Sequence, residues 1–460
     1  MPAIARIIKA RLRPLFPESL WNSLHQARHA ALYKKVAQIY LQLSAMQQRS
    51  PEEIARTREG NLLAVLQHAY AKVPYYRRMF DEVGYQATSL HGFGNIKLLD
   101  KRIVRENFDL LLAQGFSPER SFKMNTGGST GDPLEFYVSS YAGLVSGMHH
   151  KYQFGLMGYR AGDTVAGFGG LSIPDQLRAD HIYWITSTSQ TGMPITNYSS
   201  LYLDDGNISH YVGNLLKTRP AILRGYPSFL NSIAQYLLVN GISVPFPVKG
   251  VVLTSENAFD WQLENIKAAF HCPVYLEYGH SECAVFAYSV DDSYRYLCSP
   301  FYGFVEVLDA QGNQVAPGES GEIVVTGFNN EVMPFIRYRT GDIARYGGVQ
   351  GGLQSLEQIV GRTQDFVYRP DGQKTALTAL VFGQHYKAFR HIKKWQMVQD
   401  RVGEVSINLV TDAGFTDSCA AEIKANFFQV AGIQVLINYV EEISLTKSGK
   451  FKFLVQNVQP

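Results

Sequence analysis

The densest grouping of chemistry-bearing residues is Asn125-Thr-Gly-Gly-Ser-Thr-Gly-Asp-Pro133, with glycines at 127, 128 and 131 and hydroxyls on Thr126, Ser129 and Thr130. Successive backbone N–H groups on a glycine-rich turn, helped by small hydroxyls, make a concavity that fits phosphate oxygens. The lysine of a GxxxxGK[ST] phosphate loop is absent, and Asp132 stands where it would help. Gly167-Phe-Gly-Gly170 does not complete a dinucleotide-binding fingerprint, because Ser172 takes the place of its third glycine. By letter, Gly127-Gly-Ser-Thr-Gly131 also reads GxSxG, the elbow that exposes a nucleophilic serine in hydrolases, here Ser129. That elbow must follow a strand and open a helix, whereas Pro133 and the alternating Leu134-Glu-Phe-Tyr-Val138 predict a second strand. An ordinary turn is the bland alternative to both.

Four further motifs carry usable groups. Tyr278-Gly-His-Ser-Glu282 offers an aromatic face for a purine, a glycine for close backbone approach and a carboxylate for Mg²⁺. Met333-Pro-Phe-Ile-Arg-Tyr-Arg-Thr-Gly-Asp342 ends in an Asp that can accept from two ribose hydroxyls. Gly361-Arg362-Thr-Gln-Asp365 supplies an Arg for phosphate, and Thr446-Lys-Ser-Gly-Lys450 sets two ammonium groups around a flexible Ser-Gly. Taken singly, each has a structural alternative: a solvated Glu282, an Arg–Asp pair, a solvated basic tail. His280, Cys283 and Cys298 are zinc-binding types, but three irregularly spaced ligands fall short of a zinc site, and a packed thiol pair is expected instead.

The elements that must position these residues can be read from periodicity. Between about Ser121 and Val360, short β-branched or aromatic runs alternate with helical stretches. Gly250-Val-Val-Leu-Thr254, a helix over Trp261 to Phe270, and Pro273-Val-Tyr-Leu-Glu277 are examples. Such alternation predicts a layered α/β domain. Pro51 to about Asn107 reads as helical, with a break at Val73-Pro-Tyr-Tyr76 and an amphipathic stretch from Lys101 to Ala113. Glu319-Ser-Gly-Glu-Ile-Val-Val-Thr326 opens a more β-rich section. Beyond Arg362 a strand over Val405 to Val410, a helix over Ser418 to Val430 and a strand over Val435 to Val440 predict a small α+β domain. The expected division is a basic amphipathic segment over 1–60, a large domain over 61–364 and a small one over 365–460.

Composition excludes several classes. A formal charge of +3 over 460 residues gives no footprint for nucleic acid, and 46% hydrophobic against 18% charged residues exclude a disordered chain. Four cysteines without a CxxC pair are no disulfide framework, so a reducing, cytoplasmic location is expected. No apolar run of about 18 residues predicts a spanning helix. The charge is unevenly placed: residues 1–36 hold seven basic residues and one acidic, a net +6, which leaves −3 for the rest. On a helical projection Ile4, Ile8, Leu12, Leu15 and Phe16 share one face, opposite Arg6, Lys9 and Arg13. Peripheral contact with the anionic inner face of a membrane is one expectation; a helix packed on its own domain is the other. Oligomeric state has no signal in the sequence.

In this order the motifs resemble the adenylate-forming superfamily of acyl-coenzyme A ligases, adenylation domains and luciferases, and within it the phenylacetate–coenzyme A ligase and CapK-like group. The similarity runs from about residue 60 to 455 and takes in Ala69-Tyr-Ala-Lys-Val-Pro-Tyr-Tyr-Arg77 and Leu98-Leu-Asp-Lys101. It implies an α/β fold with a large layered adenylation domain and a small mobile α+β domain. It further implies that Thr126, Gly127, Gly128, Ser129, Thr130 and Gly131 form the phosphate loop, that Tyr278 and Gly279 lie against adenine, and that Glu282 ligates Mg²⁺. Asp342 would grip the ribose and Arg362 the ribose or phosphate. Thr254, Ser255 and Glu256 would line the substrate pocket, Asp365 would be the hinge, and Lys450 would bridge the carboxylate and the α-phosphate. The chain departs from the usual pattern at Gly127-Gly128 (commonly Ser-Gly), at Asp132 (frequently Lys) and at Asn257 (usually Gly).

The implied activity is an ATP- and Mg²⁺-dependent ligase that converts a carboxylic acid to acyl-AMP with release of pyrophosphate. The acyl group would then pass to coenzyme A or to an amine or hydroxyl acceptor. CapK-like relatives point toward surface-polysaccharide (capsule) biosynthesis, where an amino acid or acyl group could be joined to a glycan sugar without coenzyme A. Two rivals remain at this stage: a non-catalytic nucleotide-binding scaffold, weakened by the presence together of Glu282, Asp342, Arg362 and Lys450, and a serine hydrolase built on Ser129.

Overall fold

The computed structural model describes residues 30–118, 121–125, 134–362, 366–377, 380, 388, 391–446, 449 and 452–458. Residues 1–29 of the basic amphipathic segment therefore lie outside the described residues. The first described helix, α1 (Ala30–Ser44), is followed by α2 (Pro51–Lys72). A capping box starts α2: Ser50 Oγ accepts from the Glu53 N–H and the Glu53 carboxylate accepts from the Ser50 N–H, with Pro51 next in line where a missing N–H costs nothing. The helix stops before Pro74, which opens α3 (Pro74–Val83). Residue 60 falls within α2, whose Leu62, Val65, Leu66 and Ala69 share a core with Phe136, Val305 and Val325 of the large domain. The stretch predicted to be helical from Lys101 to Ala113 is shorter. Helix α4 (Lys101–Glu106) ends where the Asn107 amide turns back to the Ile103 carbonyl.

Strands β1 (Ser121–Asn125) and β2 (Glu135–Ser139) pair antiparallel, with Asn125 opposite Glu135. The glycine-rich segment between them, residues 126–133, lies outside the described residues. Its described flanks are two strands of one hairpin, whereas a hydrolase elbow at Ser129 would run from a strand into a helix. Helix α5 (Ser140–Leu156) follows, capped by Ser139 Oγ on the Ala142 N–H.

The main sheet has twelve strands. In chain order these are β3 (Val165–Gly169), β4 (Trp184–Thr188), β5 (Pro194–Ser199), β6 (Ile222–Gly225), β7 (Gly250–Thr254), β8 (Val274–Gly279), β9 (Phe286–Tyr288), β10 (Tyr296–Cys298), β11 (Gly303–Leu308), β12 (Ser320–Gly327), β13 (Tyr338–Gln350) and β14 (Leu353–Arg362). Their spatial order is β11-β12-β13-β14-β10-β9-β8-β7-β6-β3-β5-β4. Strands β5, β3, β6, β7 and β8 run parallel. Helices α6 (Ile208–Thr218), α7 (Pro227–Val239) and α8 (Asp260–Phe270) cover one face of this half. All five residues of β7 are buried, as a continuous apolar run in a parallel sheet should be. From β3 the chain moves outward to β5 and then returns to β6 on the other side. The carboxyl ends of β3 and β6 thus flank a topological switch point, where open α/β sheets keep their ligand crevice. A Cβ on Gly225 would lie 2.2 Å from the Phe168 carbonyl oxygen, so the two backbones meet there only because that position has no side chain.

The small domain starts with the paired β15 (Phe366–Tyr368) and β16 (Lys374–Ala376). A four-stranded sheet follows, built from β17 (Ile392–Arg401), β18 (Glu404–Thr411), β19 (Gln434–Tyr439) and β20 (Leu454–Gln456) in the order β19-β18-β17-β20. Helix α9 (Asp417–Ala431) packs Ile423 and Phe427 on Trp395, Met397, Ile407 and Leu409. The predicted strand, helix and strand appear within a residue or two of their expected limits. Phe259 of the large domain is buried in the same cluster, edge-on to Trp395 and Phe453. Among the described residues no helix is long and apolar enough to cross a membrane.

One buried ion pair ties the helical layer to the sheet. Arg337 donates to Glu306 through Nε (3.1 Å) and Nη2 (2.9 Å) and through Nη1 to the carbonyls of Gly94 and Ile96. Both side chains are buried, and Arg337 sits at φ +47°, a strain the four bonds hold in place. Arg337→Met should leave the Glu306 carboxylate unpaired and cost about 3–5 kcal/mol, read as a lowered urea midpoint. A midpoint shift worth under about 1 kcal/mol would show that the tether does not matter.

Candidate active site

Four of the sequence-selected residues meet at the end of β8. Tyr278 and Gly279 are its last two residues, and the Tyr278 hydroxyl donates to Asp342 Oδ2 at 2.8 Å. From the other direction the Tyr338 hydroxyl donates to Glu282 Oε1 at 3.1 Å. Two segments far apart in sequence, 278–282 and 338–342, are thereby joined at both ends. Asp342 can turn inward because Gly341 takes φ +78° and Thr340 Oγ1 accepts the Asp342 N–H.

Glu282 is buried. Burial alone would raise its carboxyl; the charge of the facing His280, with Tyr338 and backbone bonds behind it, holds it at about 2 instead. His280 Nδ1 lies 3.0 Å from Glu282 Oε2 but without the alignment of a hydrogen bond, so the attraction is mainly one of charge. A carboxylate ionised far below neutral pH offers the hard oxygens that Mg²⁺ takes, so Glu282 fits the implied metal. Among the described residues no three His, Cys, Asp or Glu side chains group as a further metal site, and Cys283 and Cys298 are free thiols that burial pushes up to about 11 and 12.

The neighbouring strand ends carry the expected pocket residues. Thr254 closes β7 and donates through Oγ1 to Glu277 at 3.3 Å. Ser255 adopts φ +71°, turning the loop so that the Glu256 carboxylate accepts the Ser228 N–H at the start of α7. Glu277 itself is fully buried. It pairs with Arg224 of β6 through two bonds, of 3.1 and 2.5 Å, and lies 3.5 Å from His150 Nε2 of α5. Burial opposes its ionisation, but Arg224 and His150 override that and hold the carboxyl far below its usual range.

From the small domain, Gly449 reaches the same edge. Its carbonyl accepts from Ser200 Oγ at 2.9 Å, and a Cβ there would lie 2.4 Å from that oxygen and 2.8 Å from the Gly170 Cα. The residue before Lys450 is therefore seated at the carboxyl ends of β3 and β5. Lys450 itself, Thr126 to Gly131 and Asp365 lie outside the described residues. Arg362 is opposite Asp342 in the β13–β14 register, and its side chain is likewise outside the description. Sequence reading missed Tyr338, Arg224, Glu277 and His150. A signal existed for two of them: a lone charge inside an otherwise apolar strand, as in Ala221-Ile-Leu-Arg-Gly225 and Pro273-Val-Tyr-Leu-Glu277, calls for a buried partner.

Tyr338→Phe should cost about 1.5–3 kcal/mol at pH 7, because the lost bond goes to a buried charge. Glu282 has a lowered folded value, so its stabilisation is complete above its ordinary 4.5 and is lost toward about 2. The Tyr338→Phe deficit should accordingly narrow over that window in urea titrations. Tyr278→Phe, at a more open position, should cost less; equal deficits at all pH values would refute the assignment.

The chain and its fold have relatives. Residues 367–457 match the family model of the CapK C-terminal domain. The chain is 26% identical over 434 residues to Protein CapK of Staphylococcus aureus, covering 89% of this chain and 92% of that protein. It is 24% identical over 343 residues to phenylacetate–coenzyme A ligase of Pseudomonas putida, covering 71% of this chain and 74% of that one. A solved 2-hydroxyisobutyryl-CoA ligase in the postadenylation state superposes with a TM-score of 0.68 at 18% identity, over 87% of this chain and 88% of that chain. With the large α/β domain, the small α+β domain and the clustered motif residues already in place, the chain is a homologue of CapK and of the phenylacetate–coenzyme A ligases, carries a CapK C-terminal domain and has the fold of the AMP-forming ligases.

Proposed function

We propose that the protein uses ATP to activate a carboxylic acid as its acyl-adenylate and then transfers the acyl group to a nucleophilic acceptor. The observation that carries this reading is the double tie at the end of β8, Tyr278 to Asp342 and Tyr338 to Glu282. It sets a held aromatic ring, an aspartate and an ionised glutamate side by side at the carboxyl end of β8. The Tyr278 ring would offer adenine a flat face, and the Asp342 carboxylate would accept from the ribose hydroxyls. Thr126 to Gly131 would cradle the phosphates and Arg362 would support ribose or phosphate. Glu282 would hold Mg²⁺, which when bound withdraws charge from phosphate oxygens.

In the first step a carboxylate oxygen of the acid attacks the α-phosphorus. The bond from that phosphorus to the bridging oxygen breaks, and pyrophosphate leaves. The Lys450 ammonium, carried on the loop that Gly449 seats, would neutralise the carboxylate and the α-phosphoryl oxygens together. Positioning and charge stabilisation supply most of the acceleration. In the second step the acceptor attacks the acyl carbon, its proton is lost, and the carbon–oxygen bond to AMP breaks. A rotation of the small domain about Asp365 would withdraw Lys450 and admit the acceptor.

The acceptor is coenzyme A or an amine or hydroxyl. The CapK match covers more of this chain than the phenylacetate–coenzyme A ligase match, and a glycan amine or hydroxyl in surface-polysaccharide biosynthesis is the acceptor we favour on the CapK-like resemblance. The basic residues 1–36 would suit an enzyme working at the inner membrane face. Lys450→Ala should lower acid-dependent ATP–pyrophosphate exchange at least ~100-fold with the fold intact by circular dichroism; unchanged exchange would remove Lys450 from the mechanism. Glu282→Gln should raise the Mg²⁺ concentration needed for half-maximal exchange. Pyrophosphate release measured with coenzyme A, with amines and with sugars separates the acceptors, and release with no acid at all would defeat the ligase reading.

A further inference from the structure

The Arg224–Glu277 pair has no part in the chemistry above, yet it lies beside the same switch point. Arg224 stands on β6, beside the switch point, on a strand whose other three residues are buried. Its side chain nevertheless keeps 31% of its surface open, and that of His150 on the facing helix keeps 23%, whereas Glu277 keeps 3%. A partly exposed arginine side chain in the middle of a sheet covered by helices points to a crevice that reaches down toward it. Glu277 takes the Nε and Nη2 edge of Arg224, leaving Nη1 with no partner among the described residues. On the other flank Gly167 of β3 is in register with both Arg224 and Asn197, and a Cβ on Gly167 would lie 2.4 Å from Asn197 Oδ1. The Asn197 amide therefore lies over that glycine, next to Arg224. Thr254, at the end of β7, bonds to the same Glu277 and directly precedes Ser255 and Glu256.

From this arrangement we infer that Arg224, flanked by His150 and Asn197, selects a carboxylic acid whose acyl part carries a hydrogen-bond-accepting oxygen, a hydroxyl or an amide carbonyl, over an alkyl or aryl acid. The inference rests on the ligase reading of the site. Glu277 is a positioning residue here. Buried and ionised, it holds the guanidinium flat and cancels its charge, so the pair asks for a neutral acceptor rather than a second carboxylate. An aryl or alkyl group pressed on this surface would strip water from Arg224 and Asn197 and return no hydrogen bond. Sites built to hydrogen-bond a substrate group reject analogues lacking it far more strongly than apolar pockets reject a changed methylene.

The test is kcat/KM in ATP–pyrophosphate exchange, using the full chain, for short hydroxy and N-acetylamino acids, their unsubstituted alkyl counterparts and phenylacetate. The expected result is a preference of ~100-fold or more for the oxygen-bearing acids. Equal or better use of phenylacetate or the alkyl acids overturns the inference while leaving the ligase reading standing. Exchange with no acid overturns both. The double variant R224M/E277L removes both charges, so no buried carboxylate is left unpaired. It should shift the preference toward alkyl and aryl acids by at least ~10-fold. If that variant does not fold, N197L tests the same wall and should lower the preference in the same direction. An unchanged preference in either folded variant sinks the assignment.

Discussion

A buried carboxylate must be paired, and two of them, Glu277 and Glu282, lie on or just after the central strand β8. Much of the site's construction follows from that requirement. Glu277 draws in Arg224 from β6, Thr254 from β7 and His150 from α5. Glu282 draws in His280 from its own turn and Tyr338 from β13. Four separate elements are thus fastened to one strand by charge that water cannot reach. Unpaired, either carboxylate would cost several kcal/mol, so the surrounding geometry is closely specified.

The same logic orders the rest of the large domain. The Tyr338–Glu282 and Tyr278–Asp342 bonds bring the start of β13 to the end of β8, although three strands separate them in the sheet. Just before Tyr338, Arg337 ties that strand to Glu306 and to the loop under the helical layer. A stretch of six residues, 337–342, therefore fixes the helical layer, the β-rich half and the parallel half relative to one another. The small domain meets the large one at Phe259 and Trp261, which pack into its core, at the Ser200–Gly449 hydrogen bond and at the Lys393–Asp205 pair.

Local pattern revealed much of the architecture. The parallel half was readable because its strands are continuous apolar runs bounded by helices, as at Gly250 to Thr254 and Trp261 to Phe270. The small domain was readable from the order of its strand, helix and strand. The candidate residues Tyr278, Gly279, Glu282 and Asp342 were found because each stands in a short motif whose residue types suggest a job. Arg224, Glu277 and His150 were not found. Their partners are 53 residues or more away in sequence, and no local rule pairs them. Tyr338 has no local signal either, since a tyrosine between two arginines carries no mark of facing a carboxylate.

By itself the sequence determined the fold class, the order of the elements and the residue types available for nucleotide chemistry, because periodicity and turn chemistry act over a few residues. It also excluded a disulfide scaffold and a predicted spanning helix. Only the tertiary structure decided which charges are buried, and therefore which must be partnered. Burial depends on how distant strands stack, and the same carboxylate is solvated at a surface but demands a cation in a core. That difference separates Glu282 as an isolated letter in a motif from Glu282 as a carboxylate held ionised in the candidate site.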